Sequence, residues 1–558
     1  MRIHYLPVLV ILALLARVPA VRAQSQAGFG ISPAPTAERF KEERQEQDIR
    51  TTIRKKETQD RQVISAPEIE PEINRLSDQQ VIFVENISVS RSEILSDEEI
   101  SSVIRPYLNR KVSIKELYAM LDQFNTLYRE QGYALARAIL PPQRIVDRSV
   151  DVQLIEPTVD RLRVEGNKST RRTFVMKRVE QKEGEIIDLG QLEKDLVRMS
   201  SLYDISVRST LEPGSKFATS LVNIVVDEPN RFSALVFTDN AGRDEIGLYR
   251  YGTYATMRSV FGVRDAFNVG GVFAEGMSNF FVSYDLPVNT MDTRLGVSFD
   301  FSDTEIVSGP LQAIDVVGEF TDVGVYGSHP LIVEDRRIVK GVARFDYKES
   351  TNAFDNLFTY EGTVLTLNMG VDALLFLDKG YAYTRHTLTN GFDEFNQGDR
   401  YFVKYNGDVD FRWRLNEEKD LYVQLRGKLQ LASDELLPSS EQFQAGGIAT
   451  VRGFPEGMLI GDNGYTVQLE IDAPLAVLQH VPAVRQPRFF AFLDHGNIFR
   501  LIGDVENENQ DAIASVGVGL TFDITKFVSG KLTLGVPILD HPFNEDDIRF
   551  HYYVQARF

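Results

Sequence analysis

Residues suited to acid–base or metal chemistry are scattered along this chain. The seven histidines stand at positions 4, 329, 386, 480, 495, 541 and 551, and no spacing is typical of a metal site or a Ser–His–Asp triad. Asp494 and His495 are adjacent, but neighbours on a strand point to opposite faces and cannot act as a pair. No glycine-rich phosphate loop is found. The sequence therefore predicts no enzyme, no catalytic residue, no metal, no cofactor and no nucleotide.

Arg452 and Asp494 lie in two segments that stand out by their length and by their charge pattern. Arg452 belongs to a segment, Ala432 to Asn463, whose length of about thirty residues far exceeds the usual connection between strands. Its glycines and its apolar residues argue against disorder. Asp494 shares one face of a predicted strand with Arg488 and two phenylalanines. A face with these charges fits a wet lumen wall, since charged residues avoid lipid.

The first residues predict export. Met1 to Ala23 has a charged start at Arg2, a short apolar run and a cleavage site at Val21-Arg22-Ala23, which together are typical of a signal peptide. Cleavage after Ala20 is an alternative, and an uncleaved anchor is disfavoured because the run is too short to span a bilayer. The net charge of −19 argues against nucleic acid as a partner. With no cysteine, the exported protein has no disulfide framework.

The C-terminal part alternates apolar and polar residues with a period of two. In the last segment, Ile548 to Phe558, the even positions are apolar or aromatic and the odd positions are polar or charged, except for Tyr553. Tyr401 to Leu415, Leu421 to Leu431 and Tyr465 to Ala473 repeat the pattern. The segments reach about ten residues, carry aromatic residues at their ends and place charges of both signs on the polar face. A transmembrane barrel is therefore favoured over a soluble sandwich.

Roughly sixteen such segments fit between Phe232 and Phe558, and a barrel of that size encloses a channel. The fold predicted is a transmembrane antiparallel β-barrel of about 16 strands, preceded by two small α+β domains and an N-terminal helix. In each small domain the order strand–helix–helix–strand–strand is predicted. The first domain has predicted strands at Val81 to Val89, Tyr133 to Leu140 and Ser149 to Glu156, and capping boxes at Ser96–Glu99 and Ser113–Glu116. The predicted divisions are 1–23 signal peptide, 24–62 charged helix region, 63–80 linker, 81–156 and 157–229 small domains, and 230–558 barrel with the loop 432–463. Within the charged region, Ala37 to Gln62 is predicted as a solvated helix, with disorder as the alternative.

These features resemble the two-partner secretion transporters, the TpsB family of ShlB/FhaC/HecB-like haemolysin secretion/activation proteins, within the superfamily of outer-membrane polypeptide-transporting barrels. The residues that carry the resemblance in the barrel are Glu441-Gln442-Phe443, Gly446-Gly447, Val451-Arg452-Gly453-Phe454, Glu456, Gly461-Asp462, Gly464, Phe492-Leu493-Asp494-His495-Gly496 and, more weakly, Asp239-Asn240-Ala241-Gly242 with Gly247 and Arg250. Those in the small domains, which resemble POTRA domains, are Tyr128, Gly132-Tyr133, Gln143, Gly166-Asn167 and Gly184. One departure is that Val146 to Ser149 stands where the family often has a glycine after Gln143.

The resemblance implies roles for these residues. The loop carrying Val451, Arg452, Gly453 and Phe454 would fold into the barrel, and Arg452 would pair with Asp494 of the wall motif that also contains Phe492 and Gly496. The helix within 24–62 would plug the resting pore. Tyr552 and Phe558 would serve as the C-terminal strand signal.

The implied partners are a large, β-rich secreted protein captured unfolded through the POTRA domains in the periplasm, outer-membrane lipid, and the barrel assembly machinery during biogenesis. Export would proceed through the lumen without nucleotide hydrolysis, with activation of the partner an open possibility. The location implied is the outer membrane of a Gram-negative-type bacterium. Two alternatives remain at this point: an assembly factor that inserts other barrels, and a passive porin, which needs neither the small domains nor the long loop.

Overall fold

The computed structural model describes residues 64–65, 81–145, 147–309, 312, 316–354, 358–395, 398–433, 437–477, 484–499, 511–539, 541–542, 544 and 546–558. The predicted signal peptide (1–23) and charged plug region (24–62) lie outside the described residues. Of the predicted linker (63–80), only Ile64 and Ser65 are described, and they form a short strand, β1 (Ile64–Ser65). Among the described residues, no helix is both long and apolar enough to cross a bilayer.

The first module packs two helices on small sheets. Its elements are β2 (Val81–Val84), β3 (Asn86–Val89), α1 (Asp97–Ile104), β4 (Arg110–Ser113), α2 (Ile114–Glu130), β5 (Arg137–Ile139) and β6 (Ser149–Ile155). Both predicted capping boxes are confirmed, since Ser96 and Ser113 each accept from the N3 backbone while the N3 glutamate caps the serine N–H. The α2 stripe buries Leu117, Phe124 and Tyr128 in the module core. Burial of such a stripe, more than helix propensity, stabilises a helix in a domain this small.

Two predicted strands of this module are wrong in extent. The single strand predicted from Val81 to Val89 is divided into β2 and β3, and β4, which pairs antiparallel with β2, was not predicted. The strand predicted from Tyr133 to Leu140 is confined to β5. The residues before β5 form a turn in which the Ala136 N–H donates to the Tyr133 carbonyl at 2.9 Å. Periodicity over so few residues cannot separate a turn from a strand.

The turn that departs from the family pattern adopts a left-handed conformation without glycine. Asp147 and Arg148 have φ of 54° and 56°. Aspartate tolerates this region because its short side chain bonds locally, whereas arginine is strained there. Beside the turn, the Gln143 amide accepts from the Asp151 N–H and donates to the Asp151 carbonyl, both at 2.7 Å. This side-chain pairing holds the chain before the turn against β6.

The second module contains β7 (Thr158–Glu165), α3 (Arg172–Met176), α4 (Leu189–Leu202), β8 (Ser206–Pro213) and β9 (Thr219–Asp227). Its sheet has the order β1-β8-β9-β7, with β1 parallel to β8 and β9 parallel to β7. Ile64, within the predicted linker, packs against this module's core. Gly166, after β7, has φ of 78°, and a Cβ there would collide with the Val226 carbonyl, so the turn requires glycine.

Sixteen antiparallel strands then close into a barrel, which confirms the predicted fold class. The first eleven are β10 (Phe232–Asp239), β11 (Arg250–Arg258), β12 (Ala266–Ala274), β13 (Met277–Pro287), β14 (Arg294–Glu305), β15 (Val316–Val333), β16 (Arg337–Phe354), β17 (Phe358–Leu377), β18 (Gly380–Phe395), β19 (Gly398–Asn416) and β20 (Leu421–Ala432). A short hairpin, β21 (Phe443–Ala445) and β22 (Leu459–Gly461), interrupts the series. The last five are β23 (Asn463–Pro474), β24 (Arg485–Phe499), β25 (Asp511–Asp523), β26 (Val528–Pro537) and β27 (Arg549–Arg557).

Alternation along each strand separates the two faces of the wall. On β23, Leu469 and Ile471 are exposed on the outer face, whereas Gln468 and Asp472 are buried on the inner face. Successive side chains point to opposite faces, so one strand can meet an apolar exterior and a polar lumen together. Tyr401 and Phe558, aromatic residues at the ends of predicted segments, are also exposed, at 76% and 66%.

The barrel closes where its first strand meets its last. β10 and β27 pair over only five residue positions, from Leu235–Arg557 to Asp239–Tyr553. Beyond the end of β10, the Asn240 amide donates to the Phe550 carbonyl and accepts from the Tyr552 N–H, both at 2.8 Å. The Asn240 side chain thus takes the place of a backbone pair and extends the contact between the first and last strands past the end of β10.

Charged residues join the second module to the barrel at the turn between β13 and β14. Asp292 is buried with φ of 65°, and its carboxylate accepts from Arg178 (2.6 Å), Arg198 (2.7 Å) and the Tyr203 hydroxyl (2.7 Å). All three donors lie on the module. Burial and the nearby Asp292 carboxylate raise the pKa of Tyr203, so this hydroxyl keeps the proton it donates. The joint therefore holds the module against this end of the barrel.

We expect Asp292→Asn to loosen this joint. An amide leaves the buried Arg178 guanidinium without its charge partner, which costs about 3 kcal/mol in comparable buried pairs. Hydrogen exchange of α4 and of the turn after β13 should quicken together in the purified chain. Asp378→Asn, which removes an exposed partner of Arg336, is the matched control. Unchanged hydrogen exchange at both segments in Asp292→Asn would show that Asp292 does not hold the second module against the barrel.

Candidate functional site: a loop that closes on the lumen wall

The connection between β20 and β23, residues 433–462, is here called the lumen loop. It contains a base (residues 437–442) with one 3₁₀ turn, the hairpin formed by β21 and β22, and a tip (residues 446–458). The hairpin pairs Phe443 with Gly461 and Ala445 with Leu459. Nothing in the period-two pattern of the flanking strands predicts this hairpin, because it is only three residues long on each side.

Glycines and one carboxylate shape the tip. Gly446 and Gly447 have φ of 107° and 100°, a region that favours glycine. The Gly447 N–H donates to the Val451 carbonyl at 3.1 Å, and the Glu456 carboxylate accepts from the Ile448 N–H at 2.7 Å. These bonds turn the chain back on itself within the tip and place Val451 and Arg452 at its end.

Arg452 makes a bidentate contact with the wall. Its Nε and Nη2 donate to the two oxygens of Asp494 at 2.8 and 2.7 Å, and its backbone N–H donates to Asp494 Oδ2 at 3.0 Å. The remaining guanidinium edge donates from Nη1 to Glu470 at 2.6 Å. Asp494 lies on β24 and Glu470 on β23. The fork geometry of arginine is what allows one side chain to bind both strands.

Aromatic rings and a histidine complete the surroundings of Arg452. The guanidinium carbon stands 3.6 Å from the Phe492 ring centroid and 5.8 Å from that of Phe490. The Arg452 carbonyl accepts from His551 Nε2 on β27 at 2.9 Å. Arg452 is 1% exposed. A buried guanidinium is costly unless it is paired and hydrogen-bonded, and here two carboxylates and a ring face meet that requirement.

The neighbours of Arg452 fit tightly against the wall. Gly453 donates its N–H to Ser515 Oγ at 3.2 Å, and a Cβ built on Gly453 would lie 2.6 Å from the Ser515 Cβ. Val451 and Phe454 are fully buried in an apolar cluster with Phe443 and Leu459 of the hairpin. Gly496 faces this cluster as well, and its Cβ would stand 3.0 Å from Val451 Cγ2. Close approach of loop and wall therefore requires glycine on both sides.

The structure brings together the two predicted motifs, with Val451, Arg452, Gly453 and Phe454 on the loop and Phe492, Asp494 and Gly496 on the wall. Sequence reasoning placed Phe490 on the lumen-facing side of the strand with Asp494 but missed Glu470, Ser515 and His551 as partners of the loop. Each lies on a strand recognisable by alternation, but only the register between strands shows that they converge. Tyr552 and Phe558 lie elsewhere, at the seam, where Phe558 stacks on Phe527 with centroids 6.2 Å apart; their role as a strand signal stays a prediction.

This combination of barrel, loop and modules matches known proteins. The family described as haemolysin secretion/activation protein ShlB/FhaC/HecB matches residues 218–522, more than half of the chain. The chain belongs to this family. In addition, the family described as POTRA domain, ShlB-type, matches residues 82–157, which is the first module.

Individual members of the family are similar over most of their length. The heme/hemopexin transporter protein HuxB of Haemophilus influenzae (strain 86-028NP) is 23% identical over 492 residues, covering 84% of this chain and 85% of HuxB. The outer membrane transporter CdiB of Escherichia coli is 23% identical, covering 84% and 81%. The solved structure of CdiB from Escherichia coli aligns with a TM-score of 0.70 at 20% identity, covering 94% of this chain and 99% of CdiB.

Family membership gives the barrel its location and the modules theirs. The barrel lies in the outer membrane, and the POTRA domains lie in the periplasm. Since β10 leaves the second module, the turn holding Asp292 is periplasmic, and the lumen loop starts from the extracellular end of the barrel. The Arg452 tip therefore reaches inward from outside the cell.

We expect Arg452→Lys to loosen the tip although the charge is kept. A single ammonium cannot replace all three side-chain bonds to Asp494 and Glu470, and each bond to a charged group is worth about 2 kcal/mol. Extracellular proteinase K should cut the loop faster in intact cells. Arg336→Lys, at an exposed pair with Asp378, serves as the control. Equal resistance of Arg452→Lys and the parent chain would show that the fork geometry of arginine is not required.

Gly453→Ala should destabilise the closed loop through a steric clash. The new methyl would meet the Ser515 Cβ at 2.6 Å and the Pro537 nitrogen at 3.1 Å, an overpacking that costs about 1–3 kcal/mol. The thermal unfolding midpoint in detergent should fall, and Ser515→Gly should restore part of it. Gly341→Ala is the control, because its nearest atom is 3.7 Å away. An unchanged midpoint would show that the tip does not pack here.

Proposed function

We propose that this protein captures one unfolded partner in the periplasm through its POTRA domains and passes it outward through the barrel lumen without nucleotide hydrolysis. Its role as an outer-membrane transporter of a secreted partner protein follows from the family. The observation that carries the proposed route is the lumen loop: a pore whose interior is crossed by a loop held through Arg452, Asp494 and Glu470 is built to admit cargo conditionally.

Capture through the POTRA domains has a physical basis in their sheets. Within the described residues, the first module's sheet has the order β3-β6-β5, so β5 has a neighbour on one side only. An extended segment of the partner can add to such an edge by backbone hydrogen bonds. A β-rich partner supplies such segments, and its folding outside the cell would draw the chain through the pore.

The lumen is suited to an extended polar chain. Its wall carries paired charges of both signs, including Arg412 with Asp472 and Arg426 with Asp410 at 3.4–3.5 Å. Paired charges bind a passing chain less firmly than a surface of one sign would, because each is already matched. The predicted plug helix, Ala37 to Gln62, is mostly Glu, Arg, Lys and Gln, a composition that also suits a wet lumen.

The experiment compares proteins in the medium and in the outer membrane of cells with and without this protein. An exporter is expected to cause loss of one large protein from the medium, with the outer membrane unchanged. Complementation with the parent chain should restore that protein, and complementation with Arg452→Ala should not. Glu417→Gln, at an exposed pair with Lys379, is the control variant.

Broad depletion of other barrels from the outer membrane would refute this proposal. That outcome would indicate an assembly factor instead, the alternative left open by the sequence. The fold does not separate the two, since BamA from Haemophilus ducreyi lacking POTRA domains 1–3 also aligns, with a TM-score of 0.55 at 15% identity. Once the partner is identified, an internal deletion that keeps its N-terminal domain should still be exported. Removal of that domain alone should abolish export.

A further inference from the structure

A second cluster of buried charges holds the base of the lumen loop, apart from the one around Arg452. Glu441 is 3% exposed and ends the 3₁₀ turn of the base. Its Oε1 pairs with Lys348 Nζ at 2.6 Å and its Oε2 with Lys404 Nζ at 2.8 Å. Lys348 lies on β16 and Lys404 on β19. One loop carboxylate therefore joins two separate strands of the wall.

The backbone is held at the same residue. The Glu441 carbonyl accepts from Lys404 Nζ at 3.0 Å and from Gln430 Nε2 of β20 at 2.8 Å. Gln430 Nε2 also donates to the Asp462 carbonyl at 2.9 Å, so one amide bonds both ends of the loop. Leu437 adds apolar contact in a buried cluster with Val364, Phe402 and Ala432. The base is thereby fixed to β16, β17, β19 and β20.

The tip is fixed to a different arc of the barrel. Its contacts run to Glu470 on β23, Asp494 on β24, Ser515 on β25 and His551 on β27. Between the two attachments stand Gly446 and Gly447 on one arm and Gly457 on the other, all with positive φ. The lumen loop is thus a strap with two anchorages, joined through the hairpin and bounded by glycines.

We propose that Glu441, with Lys348 and Lys404, is a positioning element that sets the tip where Arg452 can meet Asp494 and Glu470. A loop fastened at its base presents the tip to the wall at high effective concentration, whereas a loop free at its base explores the lumen. The charges specify the position of the base. Displacing the base would separate Lys348 and Lys404 from the Glu441 carboxylate, so no shifted arrangement of the base is equivalent. The link to export rests on the proposed function, but the anchoring does not.

Thiol labelling of the tip tests this anchoring without any partner protein. The chain has no cysteine, and Val451 is fully buried, so Val451→Cys reports opening of the tip through its reaction with a membrane-impermeant maleimide on intact cells. Adding Glu441→Gln should speed labelling about tenfold or more, as expected when a buried pair loses one partner. Lys404→Met should act in the same direction and replaces Glu441→Gln if that variant fails to fold. Glu417→Gln should leave the rate unchanged, and an unchanged rate in folded Glu441→Gln would overturn the proposal.

A disulfide cross-link tests whether Glu441 acts by positioning the tip. A Cβ on Gly461 of the hairpin would stand 3.7 Å from the Ile498 Cβ on β24, within the range of disulfides. In Gly461→Cys/Ile498→Cys/Glu441→Gln, extracellular proteinase K should cut the tip quickly when the cysteines are reduced and at the parent rate when they are oxidised. Fast cutting in both states would overturn the positioning role. Slow cutting in both states would show that the tip stays closed without Glu441, which would overturn that role as well.

Loss of export is scored separately, so the two proposals fail in different ways. If Glu441→Gln opens the tip but the partner still reaches the medium at the parent level, the anchoring proposal is supported and the proposed role of the loop in export is refuted. If the protein has no exported partner at all, labelling and cutting still report on the anchoring.

Discussion

A guanidinium removed from water must be matched by carboxylates, and the position of the whole lumen loop depends on that requirement. Arg452 is among the largest fully buried side chains of the described residues. Its partners, Asp494 and Glu470, belong to neighbouring strands, so only one placement of the tip satisfies the three bonds together. Breaking such a pair costs far more than making it gains, because an unpaired charge remains. The contact therefore specifies position more than it adds stability.

The same physics recurs at the periplasmic joint with a different consequence. Asp292 binds two arginines and a tyrosine of the second module, so this POTRA domain and the barrel are held as one unit. The loop charges lie inside the pore and the joint charges at its mouth. Movement of the loop therefore need not disturb the contacts of Asp292, which keep the module aligned with this end of the barrel.

How far the sequence predicts this molecule depends on whether a property is local. Alternation from Leu421 to Leu431 and from Ile548 to Phe558 is a property of each segment, and it predicts strands and the closed barrel correctly. Capping boxes at Ser96 and Ser113 are local too. The partners Glu470, His551 and Lys348 depend on register between strands far apart in the chain, which composition and periodicity do not contain. The pairing of Arg452 with Asp494 was expected only through family resemblance, and Glu441, although part of a family motif, carried no sign of its two lysines.

The seam between β10 and β27 also determines when this protein can fold. The Phe558 N–H donates to the Ala234 carbonyl at 2.9 Å and its carbonyl accepts from the Ala234 N–H at 3.2 Å, so Phe558, which follows β27, is part of the closure. Contacts between such distant positions are reached only after the intervening chain is ordered. The ring cannot close before β27 has been made, and until then every partly formed sheet has an open edge prone to aggregation. The protein must therefore be kept unfolded until both β10 and β27 are available to pair.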